Sequence, residues 1–177
     1  MTEQYLNIPN LLTILRIILI PVFVTALLYE RYDIALGIFV TAAISDFLDG
    51  IIARAKKQVT ELGSFLDPLA DKFLLVTSFV LFAIHQLIPI WLTVTVISRD
   101  VIVVTGWVVL FFATHNTKVE PTMLGKISNA LQLVLLAYIL LRLNIGEKHL
   151  PGPDLLIYLT AGFTVVSGIH YIYKGIK

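Results

Sequence analysis

The chain has no cysteine, only four histidines and little charge, with lysine, arginine, aspartate and glutamate making up 14% of its 177 residues. Without cysteine there can be no disulfide, no thiolate metal site and no cysteine nucleophile, although this assigns no compartment. His85, His115, His149 and His170 are too scattered in sequence to make a ligand set. Thirteen basic residues against twelve acidic ones leave a net charge of +1, so no basic field points to nucleic acid and no such partner is expected. No repeat, linker or low-complexity segment interrupts the chain. Met1–Pro9 lacks a basic n-region and no small-residue cleavage site follows it, so a signal peptide is not expected.

What the sequence has instead is apolar length. Hydrophobic residues make up 58% of it, and the mean hydropathy of +0.89 lies outside the soluble globular range. A bilayer-spanning helix needs about 20 apolar residues. Six runs qualify: Asn10–Tyr29, Ile34–Arg54, Ser64–Ile84, Ile90–Ala113, Leu124–Leu143 and Leu155–Tyr173. The expected fold is therefore all-α, a polytopic integral membrane protein with six transmembrane helices forming one domain over residues 1–177. Pro9 suits a helix start, Pro21 is expected to kink the first span, Ser64 to cap the third, and Pro68 to fall in its first turn. Lys72 is expected to snorkel to the interface. An even number of spans puts both termini on one side, together with Arg54, Lys56, Lys57, Lys118, Lys126, Lys174 and Lys177. The positive-inside rule makes that side cytoplasmic.

Four aspartates break the apolar pattern. Asp46 and Asp49 are three residues apart, and Asp67 and Asp71 are four apart, spacings that put each pair on one helical face. An isolated intramembrane aspartate can be an ion-pair partner or a proton relay. Four together at low dielectric would protonate or repel unless cations held them, and all-oxygen ligation suits Mg²⁺, Mn²⁺ or Ca²⁺. Between the pairs, Gly50, Ala53 and Gly63 are small enough to let a ligand approach backbone, and Arg54 has the planar fork that matches phosphate oxygens.

The run Asp46-x2-Asp49-Gly50-x2-Ala53-Arg54-x8-Gly63-x3-Asp67-x3-Asp71 resembles the signature of the CDP-alcohol phosphatidyltransferase family, with every fixed position filled. The resemblance implies two divalent cations, Mg²⁺ or Mn²⁺, on Asp46, Asp49, Asp67 and Asp71, with Asp71 also acting as base on the acceptor hydroxyl. It implies CDP contact at Gly50, Ala53, Arg54 and Gly63. Asn7-x-Pro9-Asn10-x2-Thr13-x2-Arg16 resembles the opening segment of the phosphatidylglycerophosphate synthase and cardiolipin synthase branch. On their residue types alone, Asn10 and Thr13 can start a helix and Arg16 can pair with a site aspartate. The resemblance adds nucleotide contact for Asn10 and Thr13 and phosphate contact for Arg16.

Arg99, in mid-span, needs a partner, and its neighbour Asp100 points from a different helical face. An acceptor phosphate suits Arg99 and Lys126, the alternative being a salt bridge from Arg99 to a carboxylate of another helix. Lys118 joins the acceptor-phosphate candidates or meets lipid headgroups. The implied reaction moves phosphatidyl from CDP-diacylglycerol to glycerol 3-phosphate, with phosphatidylglycerol as the alternative acceptor. The resemblance also implies a homodimer in the cell (inner) membrane, multi-pass, its site open to cytoplasm and lipid. An ion or proton transporter would need a second charged site or broken helices in a symmetric half, and neither is present. A non-catalytic scaffold would not need four carboxylates with small residues between them.

Overall fold

A computed structural model describes the chain at residues 8–56, 61–114, 122–146 and 149–176, with side chains at 15, 17–45, 72–106, 122–146 and 149–173. The described residues form six α-helices and no strand: α1 (Ile8–Leu28), α2 (Tyr32–Lys56), α3 (Glu61–Ile84), α4 (Ile90–Thr114), α5 (Met123–Ile145) and α6 (Asp154–Ile176). Helices α5 and α6 carry stretches, Met123–Ile145 and Asp154–Tyr173, that are long and apolar enough to cross a membrane.

All six helices fall on the expected runs, but α3 begins earlier. Its start at Glu61 places Ser64 and Pro68 inside the helix rather than at its cap and first turn. Hydropathy reports the apolar length and is silent on the polar turn that extends it. Lys72 is half-buried on α3, and its Nζ is shielded by the protein. Helix α1 runs on through Pro21, whose carbonyl accepts a 2.8 Å bond from Thr25 Oγ1.

The chain divides into two compact units. The first comprises Met1–Leu81 and Leu140–His149. In it α1 packs on α2. Phe23, Ala26 and Leu27 of α1 and Ala35, Phe39 and Ala42 of α2 are buried, at the i, i+3/i+4, i+7 spacing of a helix face. Alanines beside the phenylalanines let the backbones approach, and the Phe23 and Phe39 rings meet at 6.0 Å between centroids. The turn between the helices is a Schellman cap, with Glu30 N–H bonding Leu27 O and Arg31 N–H bonding Ala26 O. It obliges Glu30 to adopt φ of +56°, a position usually given to glycine. Asn144 Nδ2 donates to Tyr32 O at 2.9 Å and so ties the end of α5 to the start of α2.

The second unit comprises Phe82–Ile139 and Leu150–Lys177, and in it α4 packs on α6. Its interior is unusual. Leu92 and Val96 of α4 and Leu135, Leu136 and Ile139 of α5 are buried as expected, but so are Arg99, Asp100, Ser128, Gln132, Thr160, Thr164 and Ser167. On α6 the buried stripe reads Ile157, Thr160, Thr164, Ser167, a helical face made largely of hydroxyls. Ser128 Oγ and Thr164 Oγ1 lie 3.0 Å apart, and Gln132 Nε2 donates to both of them at 3.4 and 3.3 Å. These bonds join α5 to α6 where apolar side chains would give packing alone.

Candidate active site

The first unit holds the backbone of the aspartate motif. Asp46 and Asp49 lie on α2 with Gly50, Ala53 and Arg54, and Asp67 and Asp71 lie on α3 with Gly63. Each pair sits on one uninterrupted helix, which is what its spacing needs to share a face. The side chains of these residues, and of Asn10, Thr13 and Arg16 on α1, fall outside the described residues, as does Lys118 altogether.

The second unit brings together a set around Arg99. Its side chain is only 8% exposed, and Nη1 donates to Asp100 Oδ1 at 2.8 Å and to Asn129 Oδ1 at 3.3 Å. Nη2 donates to Ser167 Oγ at 2.9 Å. The expectation that Asp100 points away from Arg99 is thus corrected. Successive helical residues are about 100° apart, yet the long arginine stem carries its guanidinium back around the helix to the neighbouring carboxylate. The ion pair is intrahelical, and Arg99 reaches other helices through the neutral side chains Asn129 and Ser167.

Two glycines make room for the Arg99 side chain, one at its guanidinium and one at its stem. A Cβ on Gly125 would lie 3.1 Å from Arg99 Nη2 and 3.2 Å from Thr122 Oγ1, and one on Gly168 would lie 3.4 Å from Arg99 Cγ. Thr122 is the N-cap of α5: its Oγ1 accepts from Gly125 N–H at 3.2 Å and its carbonyl accepts from Lys126 N–H. Arg99 is therefore pressed against the first turn of α5, the end of a helix where backbone N–H groups carry partial positive charge. Lys126, one residue beyond Gly125, is exposed.

A guanidinium has five N–H donors. Both Nη1 protons of Arg99 are spent on Asp100 and Asn129, and one Nη2 proton on Ser167. Nε–H is buried and has no partner among the described residues. The Nε–Nη2 edge is the side that grips an anion bidentately, as Arg31 does with Asp33 at 3.2 and 3.1 Å elsewhere in the chain. A buried cation with an unpartnered Nε–H beside a helix N-terminus is suited to binding an anion. Asn129, Ser167, Gly125 and Gly168 escaped the sequence argument as neighbours of Arg99. The hydroxyl stripe on α6 was the only sign of them.

Residues 6–166 match the family model described as CDP-alcohol phosphatidyltransferase. The CDP-diacylglycerol–glycerol-3-phosphate 3-phosphatidyltransferase of Bacillus subtilis is 34% identical over 184 residues, covering 95% of this chain and 94% of that protein. The Escherichia coli protein of the same name is 35% identical over 173 residues, covering 94% and 93%. Cardiolipin synthase (CMP-forming) of Rattus norvegicus is 35% identical over 198 residues, and there the match takes in 99% of this chain but 65% of the relative. The aspartate motif, the helices that carry it and these matches agree: the chain belongs to the CDP-alcohol phosphatidyltransferase family.

Proposed function

We propose that the protein transfers a phosphatidyl group from CDP-diacylglycerol to the primary hydroxyl of glycerol 3-phosphate, forming phosphatidylglycerol phosphate and releasing CMP. The observation that carries the choice of acceptor is Arg99, a buried cation with an unpartnered Nε–H against the first turn of α5. A phosphate monoester brings about two negative charges and three free oxygens to such a site. A phosphodiester such as phosphatidylglycerol brings a single charge, so a buried guanidinium favours glycerol 3-phosphate. Lys126 adds a cation on the same turn of α5, and Lys118 and Arg16 remain acceptor-phosphate candidates on their sequence positions.

Asp46, Asp49, Asp67 and Asp71 would hold two divalent cations, Mg²⁺ or Mn²⁺. The donor set fits: it is all carboxylate oxygen, from two pairs at helical spacing on continuous helices. When bound, the cations supply charge neutralisation at the pyrophosphate. Asp71 takes the proton of the acceptor hydroxyl. The freed oxygen attacks the phosphorus bearing diacylglycerol, its bond to the CMP oxygen breaks, and CMP leaves with the electron pair. Gly50, Ala53 and Gly63 leave room for the nucleotide beside the backbone, Arg54 meets its phosphates, and Asn10 and Thr13 contact it from α1.

All six helices cross the bilayer in this reading, with termini and site on the cytoplasmic side of the cell (inner) membrane, and the protein is a homodimer. Large apolar side chains facing outward support it, among them Ile18 on α1, Val94 and Val101 on α4 and Ile169 on α6.

The test is direct. Purified protein in detergent receives CDP-diacylglycerol and Mg²⁺ or Mn²⁺, with glycerol 3-phosphate or phosphatidylglycerol in separate tubes, and products are read by mass. Phosphatidylglycerol phosphate from the first tube, abolished by chelator and by Asp71→Asn, is the expected result. Cardiolipin from the second tube alone would move the protein to the other branch, and no product from either would refute the reading.

A further inference from the structure

Many hydroxyls among the described residues bond within their own helix. Thr25, Thr41, Ser45, Ser78 and Thr95 each donate to the carbonyl four residues back on their own helix, at 2.7–2.8 Å. That habit satisfies the hydroxyl locally and does nothing for the next helix. Ser167 behaves otherwise. It is fully buried, and its oxygen accepts from Arg99 Nη2 across 68 residues of sequence. Asn129 Oδ1 does the same from α5 for Nη1.

A guanidinium on a long stem loses rotamer freedom only if something holds it. Here Asp100 fixes one nitrogen from its own helix, but that bond alone would leave the plane free to swing about Nη1. Ser167 fixes the second nitrogen from α6, and two fixed nitrogens define the plane. With Nη1 anchored to Asp100 and Asn129 and one Nη2 proton on Ser167, the donors left over are Nε–H and the second Nη2 proton. We propose that Ser167 is a positioning residue: it sets the plane of the Arg99 guanidinium so that its Nε–Nη2 fork receives the phosphate of the acceptor. This rests on the reading above that Arg99 meets that phosphate.

The experiment uses full-length protein in detergent with CDP-diacylglycerol and Mg²⁺, and measures KM for each substrate and kcat. Ser167→Ala should raise KM for glycerol 3-phosphate about tenfold, the effect of one lost hydrogen bond to a charged group, with KM for CDP-diacylglycerol and kcat changed less than about twofold. Asn129→Ala should give the same split. Thr164→Val removes the bond to Ser128 one turn away on the same helix, and both KM values should stay within about twofold. An unchanged acceptor KM in Ser167→Ala, or a parallel rise in both KM values, would overturn the proposal. Arg99→Ala separates the two layers. If it raises the acceptor KM while Ser167→Ala does not, only the positioning role fails. If Arg99→Ala also leaves it unchanged, the assignment of the phosphate to Arg99 fails. An arm with phosphatidylglycerol in place of glycerol 3-phosphate shows which phosphate the fork receives.

Discussion

Gly125→Ala tests the Arg99 site with the smallest change available. The added Cβ would stand 3.1 Å from Arg99 Nη2, where ordinary contact begins at 3.4 Å, so the guanidinium must retreat by about 0.3 Å. It can do so, because Nη2 is the far end of a flexible side chain. Two effects on stability oppose each other. Alanine in place of a helical glycine gains up to about 1 kcal/mol. Pushing Arg99 off its rotamer costs about 0.5–1.5 kcal/mol. The net change should therefore lie within about 1 kcal/mol of zero, a shift of a few degrees in Tm. Activity should not be spared. A misplacement of 1 Å costs about 10²-fold in well-aligned sites, so 0.3 Å scales to about fourfold. The expected result is an unchanged melting transition with KM for glycerol 3-phosphate raised about four- to tenfold, both measured in one detergent. An acceptor KM within twofold of wild type would refute the reasoning, because the guanidinium would then work equally well wherever it lay beside α5.

Two further outcomes concern the first unit. Phe39, 1% exposed and tilted against Phe23, holds α1 to α2; Phe39→Ala should cost about 3 kcal/mol, read as a lowered Tm, and a loss below about 1 kcal/mol would mean that the helices repack around the gap. The Arg31–Asp33 pair at the α1–α2 turn is fully exposed, and the hydrogen bond from Arg31 holds the Asp33 carboxyl below its usual range. A depressed carboxyl stabilises the fold above its ordinary titration range and loses that contribution as pH falls through the depressed value. Solvent screens so exposed a pair, so Asp33→Asn should leave Tm unchanged at pH 7, and a clear fall there would show that the turn depends on the charge.

Six helices were legible because apolar length is written residue by residue. Their ends were less so. At α3 the residues Glu61, Leu62 and Gly63 carry no hydrophobic signal, yet Glu and Leu form helices readily and the helix runs through them. The aspartate motif could be read because its spacing lies within two neighbouring helices. The surroundings of Arg99 could not, since Ser167 lies 68 residues away and a serine in an apolar helix looks like any other small residue. The neighbour in sequence was misjudged for a different reason. Helical phase gives the direction of a Cβ, whereas an arginine acts from its guanidinium, about 6 Å further out along a stem that bends.

As a purely structural device the Arg99 arrangement would be a poor one. Removing a guanidinium and a carboxylate from water is expensive, and a buried pair rarely repays it in stability. This pair lies within α4; Asn129 and Ser167 carry bonds from Arg99 to other helices, and Ser128, Thr164 and Gln132 join α5 to α6. Placing a cation against the first turn of α5 sets like charge against like partial charge. An arriving anion reverses the sign of each cost. It meets the open Nε–H, and it is drawn to both the guanidinium and the N–H groups of α5, whose repulsion it relieves. The features that make Arg99 unfavourable in an empty protein are thus those that would favour a bound phosphate, and Ser167 of α6 holds one of its nitrogens in place.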